Sequence, residues 1–200
     1  PDTSLNIPEV AREQGRRLLA SAGVNLGSPL ICLGVGSKNS LIKRWPADRF
    51  ASVIDALSRE RRLNFIALGS KEEAEVAREI AAIVDGRLID MCGRTTLAEA
   101  VAILAESDLM ISNDMGLAHV AAAVGTRTIA LFGPTDPTTT RPWGRRVSVL
   151  QADFTCEFCA AGDMSAAHVC GRWPLAESVA AEALEALAIG EDASEFPSFI

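Results

Sequence analysis

The sequence predicts an α/β fold, a three-layer Rossmann-like domain in which helices cover both faces of a parallel sheet. Short apolar segments alternate along the chain with longer segments of helical periodicity, which indicates successive β-α-β units. The apolar segments are nearly continuous, as expected for strands that are buried on both faces. Hydrophobic residues make up 48% of the 200 residues and charged residues 22%, so the chain can fill a sizeable core.

Prolines, glycines and one capping box mark the ends of the elements. Pro8 and Pro46 open helices, and Thr96 with Glu99 has the spacing of a capping box. The predicted helices are residues 8–22, 46–61, 71–84, 97–106, 116–124 and 175–189. The predicted strands are residues 30–35, 63–68, 87–91, 109–112, 128–132 and 147–151, and residues 134–144 are predicted to be a loop rich in proline and threonine.

The order of these elements predicts one domain with short additions at its ends. Residues 1–28 are expected to form a connector helix, residues 29–190 the Rossmann-like domain, and residues 191–200 a C-terminal tail. The chain begins with proline instead of methionine, so we expect a piece of a longer protein. No signal peptide and no membrane-spanning run is visible in the sequence, which favours a cytoplasmic protein.

Charge and cysteine usage exclude two broad classes. The net charge of −7 and the lack of a basic stripe are unlike a nucleic-acid-binding protein. Cys32 and Cys92 lie in or beside apolar runs and are expected to be inert core residues. An odd total of five cysteines argues against a secreted disulfide framework.

The first strand ends in a glycine-rich segment. In a doubly wound sheet, ligands bind at the carboxyl ends of the strands, so Gly34–Ser37 is a candidate site segment. A dinucleotide fingerprint would need a third glycine where Asn39 stands, and the sequence has no P-loop, so no cofactor is predicted. Ser37, Asn39 and Ser40 nevertheless offer hydrogen-bonding groups. A plain strand-to-loop turn is the alternative.

Lys43 follows this segment, directly before the start of a predicted helix. A lysine at the strand ends could neutralise a diphosphate. The alternative is a solvated lysine, which is the more common situation for this residue type.

The segment from Asn113 to His119 is the most informative part of the chain. It is a strand end followed at once by a helix, whose N-terminal N–H groups and dipole favour phosphate. Gly116 allows close approach of a ligand to the backbone. Asp114 alone could be an N-cap and His119 alone a core histidine. Together, at a strand–helix junction, they favour a binding site.

The next strand ends in Gly133-Pro134-Thr135, which could bind a base, ribose or phosphate, or could simply be a turn. No Asp-x-Asp motif occurs in the chain, so a sugar-nucleotide site would hold its diphosphate without a metal.

Four residues near the end of the chain are of types that bind zinc, and a loop with free thiols is the alternative. They are Cys156, Cys159, His168 and Cys170.

Five sequence motifs, taken in their order along the chain, resemble the C-terminal domain of glycosyltransferase family 9, which contains the ADP-heptose:lipopolysaccharide heptosyltransferases. The resemblance extends from about residue 30 to residue 187. The motifs are Lys43-Arg44-Trp45-Pro46, Gly69 with its acidic pair, Cys92-Gly93-Arg94-Thr95-Thr96-Leu97, Asn113-Asp114-Met115-Gly116 with His119, and Leu131-Phe132-Gly133-Pro134-Thr135.

This resemblance implies the C-terminal half of a GT-B glycosyltransferase, which grips the nucleotide sugar while an N-terminal domain holds the acceptor. It implies an inverting, metal-independent transfer from an ADP-sugar, such as ADP-heptose, to a lipid-linked saccharide. Lys43 and His119 would be the catalytic residues. The donor would contact Asp114, Met115 and Gly116 at the helix start, and Glu72 or Glu73 at the ribose. Ser37, Asn39, Ser40, Gly133 and Thr135 complete the expected donor site.

The resemblance also implies what this chain lacks. The acceptor domain is absent from these residues, so the fragment alone is expected to bind the donor without completing the transfer. The parent enzyme is expected at the cytoplasmic face of the inner membrane, as a peripheral protein. Met115 departs from the small hydroxyl residue that relatives often carry. The alternatives are another sugar-nucleotide enzyme, such as a UDP-sugar transferase or an epimerase, and a non-catalytic interaction module.

Overall fold

The central feature of the fold is a six-stranded, all-parallel sheet with the strand order β3-β2-β1-β4-β5-β6. The computed structural model describes residues 3–37, 43–152 and 173–192. The strands are β1 (Leu30–Gly34), β2 (Asn64–Ala67), β3 (Leu88–Asp90), β4 (Leu109–Asn113), β5 (Arg127–Phe132) and β6 (Val147–Gln151). The prediction of a parallel α/β sheet is confirmed.

Helices connect the strands and cover both faces of the sheet. They are α1 (Glu9–Ser21), α2 (Ala47–Glu60), α3 (Ala74–Ile83), α4 (Leu97–Ala105), α5 (Gly116–Val124), α6 (Pro137–Thr140) and α7 (Ala176–Asp192). Two details differ from the sequence expectation. A 3₁₀ turn over Lys71–Glu73 precedes α3, and the one-turn helix α6 interrupts the predicted loop, where Asp136 caps it by accepting a hydrogen bond from the Thr138 N–H.

Side-chain alternation along β1 divides the core into two layers. Ile31 and Leu33 point to the layer beneath α2, α3 and α7, whereas Leu30 and Cys32 point to the layer beneath α1, α4 and α5. Burial raises the pKa of the Cys32 thiol and of the Cys92 thiol, so both remain protonated and inert, as the sequence suggested.

The expected connector helix α1 packs directly on α4. Leu19 of α1 is fully buried. Gly15 lies so close to α4 that a methyl group in its place would come 2.6 Å from the carbonyl oxygen of Ala102. Glycine is therefore required at this helix crossing, and α1 completes one helical layer.

The strand order reverses direction between β1 and β4. β2 and β3 lie on one side of β1, and β4, β5 and β6 follow on the other. A crevice forms at the carboxyl ends of the two strands at such a switch point, because their following loops diverge. The loops after β1 and β4 are therefore the expected walls of a ligand site.

Candidate functional site

A cavity of about 640 Å³ opens at this switch point. Its size lies within the range of small-molecule sites. The carboxyl ends of β1, β2 and β4 and the first turns of α4 and α5 form its walls. The lining residues are Ser37, Lys43, Gly69, Ser70, Glu73, Thr95, Thr96, Leu97, Ala100, Asp114, Met115, Gly116, Leu117 and Val120.

Lys43 and Asp114 form an ion pair at one end of the cavity. The Lys43 Nζ atom lies 2.9 Å from Oδ2 of Asp114, and the Asp114 side chain is only 9% exposed. The same carboxylate oxygen accepts longer hydrogen bonds from the hydroxyls of Thr135, at 3.3 Å, and Thr140, at 3.4 Å. Asp114 is thus not the N-cap of α5, because that position belongs to Met115.

The side chain of Asn113 fixes the segment that carries Lys43. Asn113 is fully buried, and its Oδ1 accepts a hydrogen bond from the backbone N–H of Trp45 at 3.1 Å. Its Nδ2 donates to the carbonyl oxygens of Val35 at 2.9 Å and Gly36 at 3.3 Å. The side-chain amide of Asn113 therefore links the end of β4 to the loop after β1 and to the segment just before α2.

The start of α5 provides a second source of positive potential beside Lys43. The first N–H groups of a helix have no acceptor within the helix, and the helix dipole adds partial positive charge there. Met115 does not cap them with its side chain, and a methyl group on Gly116 would meet no atom within 4 Å. The helix start is therefore open to an anionic ligand.

Glu73 lies at another wall of the cavity and is 4% exposed. Its Oε2 accepts a hydrogen bond from the Ser70 N–H at 2.6 Å, and its carboxylate is pressed against Gly36 and Gly69. Glu72 is exposed and does not border the cavity. Of the two acidic residues left open by the sequence, Glu73 is the one that borders the cavity.

An apolar wall connects these polar groups, and sequence reasoning did not identify it. Leu97 and Ala100 come from α4, and Leu117 and Val120 from α5.

The capping box predicted at Thr96 is present at the start of α4. Glu99 accepts hydrogen bonds from the Thr96 N–H and hydroxyl, and these hydrogen bonds lower the pKa of Glu99. The sequence does predict where α4 and α5 begin, but apolar residues in a helix do not by themselves indicate that they line a binding site.

The loop after β5 reaches the site through the hydrogen bond from Thr135 to Asp114. Gly133 packs against the ring of Trp173, which would lie 2.6 Å from a methyl group at this position. The Gln151 amide donates to the carbonyl oxygens of Gly133 at 2.5 Å and Thr135 at 3.0 Å. Neither Gly133 nor Thr135 borders the cavity, and Thr135 instead supports the carboxylate that pairs with Lys43.

His119 does not join the other predicted residues. It is exposed on α5 and does not border the cavity. Asn39 and Ser40 lie outside the described residues, as do the four residues with zinc-ligand chemistry, Cys156, Cys159, His168 and Cys170. Six of the predicted residues line the same cavity: Ser37, Lys43, Glu73, Asp114, Met115 and Gly116.

Comparison with known proteins identifies the family. The model of glycosyltransferase family 9 (heptosyltransferase) matches residues 4–192. The chain belongs to this family. The lipopolysaccharide heptosyltransferase 2 of Salmonella typhimurium is 31% identical over 150 residues, which cover 72% of this chain and 43% of that protein.

Solved structures show the same fold. The Escherichia coli ADP-heptose lipopolysaccharide heptosyltransferase II matches with a TM-score of 0.76 and 24% identity, over 94% of this chain and 54% of that one. The family 9 glycosyltransferase from Veillonella parvula matches with a TM-score of 0.76 and 26% identity, over 93% and 54%. The chain spans less than half of the curated relative and about half of each solved structure.

Proposed function

We propose that this family 9 domain binds the donor of an inverting, metal-independent glycosyltransferase that transfers a sugar from an ADP-sugar such as ADP-heptose. The observation that carries the proposal is the shared cavity of Lys43, the open start of α5 and Glu73. A nucleoside diphosphate has an anionic end, a ribose with two hydroxyls and a flat base, and the cavity has a partner for each.

The diphosphate would bind between Lys43 and the first N–H groups of α5. Lys43 has three N–H donors, so it can remain paired with Asp114 while it donates to a phosphate oxygen. When the bond between the anomeric carbon and the phosphate oxygen breaks, negative charge grows on the departing ADP. Fixed positive groups at that position stabilise this charge in the transition state, which is the role a metal has in other transferases.

The nucleoside would extend along the cavity from this anionic end. Glu73 borders the cavity and is held by Ser70 through Oε2, and its carboxylate would accept hydrogen bonds from the ribose hydroxyls. The base would lie against the apolar wall of Leu97, Leu117 and Val120. Such a wall binds a large flat base by burial of apolar surface, which favours adenine over the smaller uracil.

The acceptor half of the reaction lies outside this domain. An acceptor hydroxyl would attack the anomeric carbon from the face opposite the ADP, form the new C–O bond and give up its proton to a base on the acceptor domain. We propose a lipid-linked saccharide of lipopolysaccharide synthesis as acceptor, at the cytoplasmic face of the inner membrane. No helix among the described residues is long and apolar enough to span a bilayer. The isolated domain is expected to bind the donor without transferring the sugar.

Calorimetric titration in EDTA tests this proposal. The chain is titrated with ADP, ADP-heptose, UDP and UDP-GlcNAc. We expect the two adenine ligands to bind at least about tenfold more tightly than the two uracil ligands, because burial of the larger base contributes more free energy. Preference for the UDP ligands would move the function to a UDP-sugar enzyme. A requirement for added Mg²⁺ would contradict metal independence.

A further inference from the structure

We propose that the outward face of residues 141–146 binds the anionic surface of a membrane. This segment connects α6 to β6 and has the sequence Arg-Pro-Trp-Gly-Arg-Arg. The choice of a bilayer as partner rests on the proposed function, because a lipid-linked acceptor places the enzyme at a membrane. The surface itself is defined by geometry and charge that are independent of the donor site.

Pro142 is the one buried residue of this segment, and its other five residues are exposed. Arg141 has extended backbone angles, with φ −63° and ψ 148°. Pro142 is buried, and a methyl group on Gly144 would point toward Val147 and Ala122. Arg141, Trp143, Arg145 and Arg146 are all exposed, so the segment presents Trp143 and three arginines to solvent. Arg141, Trp143 and Arg145 are called the Arg-Trp-Arg stripe.

Trp143 is the most unusual member of the stripe. Its side chain is 62% exposed, whereas the other two tryptophans of the chain, Trp45 and Trp173, are 1% and 5% exposed. The guanidinium carbon of Arg141 lies 5.7 Å from the centre of the Trp143 ring. A solvent-exposed indole beside a guanidinium group suits the headgroup region of a bilayer, where tryptophan is enriched.

The charge of this surface opposes the charge of the whole chain. The net charge is −7, yet no acidic residue occurs from Arg141 to Gln151. Within the described part of the chain, Arg141, Arg145 and Arg146 form no salt bridge. Arg145 and Arg146 share a cleft with Arg127 and with Glu182 and Glu185, so arginines outnumber carboxylates there.

This distribution gives the domain a preferred orientation at a membrane. An anionic bilayer repels most of a protein of net charge −7, and it attracts the face that carries Arg141, Arg145 and Arg146. Guanidinium groups donate bidentate hydrogen bonds to lipid phosphates, and the indole of Trp143 can enter the interface beside them. The contact would be weak and reversible, as suits a peripheral enzyme.

Tryptophan fluorescence tests the inference directly, because Trp143 is the single exposed tryptophan of the three. The chain is mixed with phosphatidylglycerol vesicles or with phosphatidylcholine vesicles. We expect a blue shift and reduced acrylamide quenching with phosphatidylglycerol alone, together with co-sedimentation that salt reverses. Trp143→Phe should remove the spectral change. The double variant Arg141→Gln with Arg145→Gln should weaken co-sedimentation about tenfold.

The matched control removes two exposed arginines elsewhere, Arg17→Gln with Arg78→Gln, and should bind vesicles as the unaltered chain does. Absence of co-sedimentation with phosphatidylglycerol, or equal loss in the control variant, would overturn the inference and leave a protein or a saccharide as the occupant of this face. ADP titration of the same samples separates the two proposals. A chain that binds ADP but no vesicles refutes only the membrane surface, and one that binds vesicles but no ADP refutes only the donor site.

Discussion

Replacing Lys43 with alanine is expected to weaken ADP binding roughly 10- to 150-fold, the loss that corresponds to one hydrogen bond from a charged group. The lysine is the side-chain cation that borders the cavity among the described residues. Its removal also leaves the carboxylate of Asp114, which is largely buried, without its cation and facing the bound phosphates. Calorimetry with ADP measures the loss.

A second substitution separates these two causes. Asp114→Asn in the Lys43→Ala background removes the uncompensated negative charge, so it should restore part of the lost affinity. Lys71→Ala is the matched control, because Lys71 is exposed and does not border the cavity. Equal affinity in Lys43→Ala and in the unaltered chain would place the diphosphate elsewhere.

The second large effect is expected at Gly36. A methyl group at this position would overlap the Oε1 atom and the adjoining carbons of Glu73. The carboxylate can rotate away, so Gly36→Ala should leave the fold intact. Glu73 would then no longer accept hydrogen bonds from ribose, and we expect ADP affinity to fall about tenfold or more.

A double-mutant cycle checks this mechanism. In a Glu73→Ala background the methyl group of Gly36→Ala meets no carboxylate, so it should cause little further loss of ADP affinity. Additive losses from the two substitutions would show that Gly36 acts by another route, such as direct approach of the ligand to the backbone. Circular dichroism melting curves establish whether each variant remains folded.

The fold could be predicted from the sequence because each element carries its own local signal. The buried strands are short apolar runs, and the start of α4 is encoded in Thr96 and Glu99 alone. The short helix α6 was missed because its residues, Pro137–Thr140, are poor helix formers. It forms because Asp136 caps it and because a one-turn helix requires only a few hydrogen bonds.

The candidate site was predictable where polar residues follow strands. Lys43 and Asp114 stand 71 positions apart, but each comes after a strand of the same sheet, so topology brings them together. Which of Glu72 and Glu73 borders the cavity depends on the 3₁₀ turn, which exposes Glu72 and buries Glu73. The sequence alone does not show which of two adjacent acidic residues faces the cavity.

Helix periodicity explains why His119 departs from the other site residues. Gly116, Leu117 and Val120 of α5 border the cavity. Leu117 and Val120 lie about 60° apart around the helix axis, whereas residue 119 lies about 160° from Leu117, so its side chain is directed away from the cavity. A role for His119 in transfer remains a prediction, and it would require a partner on the acceptor side of the cleft.

A crystal structure of the chain with ADP bound is the most direct test of the donor-site proposal. We expect the diphosphate between Lys43 and the N-terminus of α5, the ribose hydroxyls at Glu73, and the adenine against Leu97 and Val120. Density for ADP at any other place, or ADP in this cavity with its base at Lys43 and its phosphates at Leu97, would contradict the proposed binding mode.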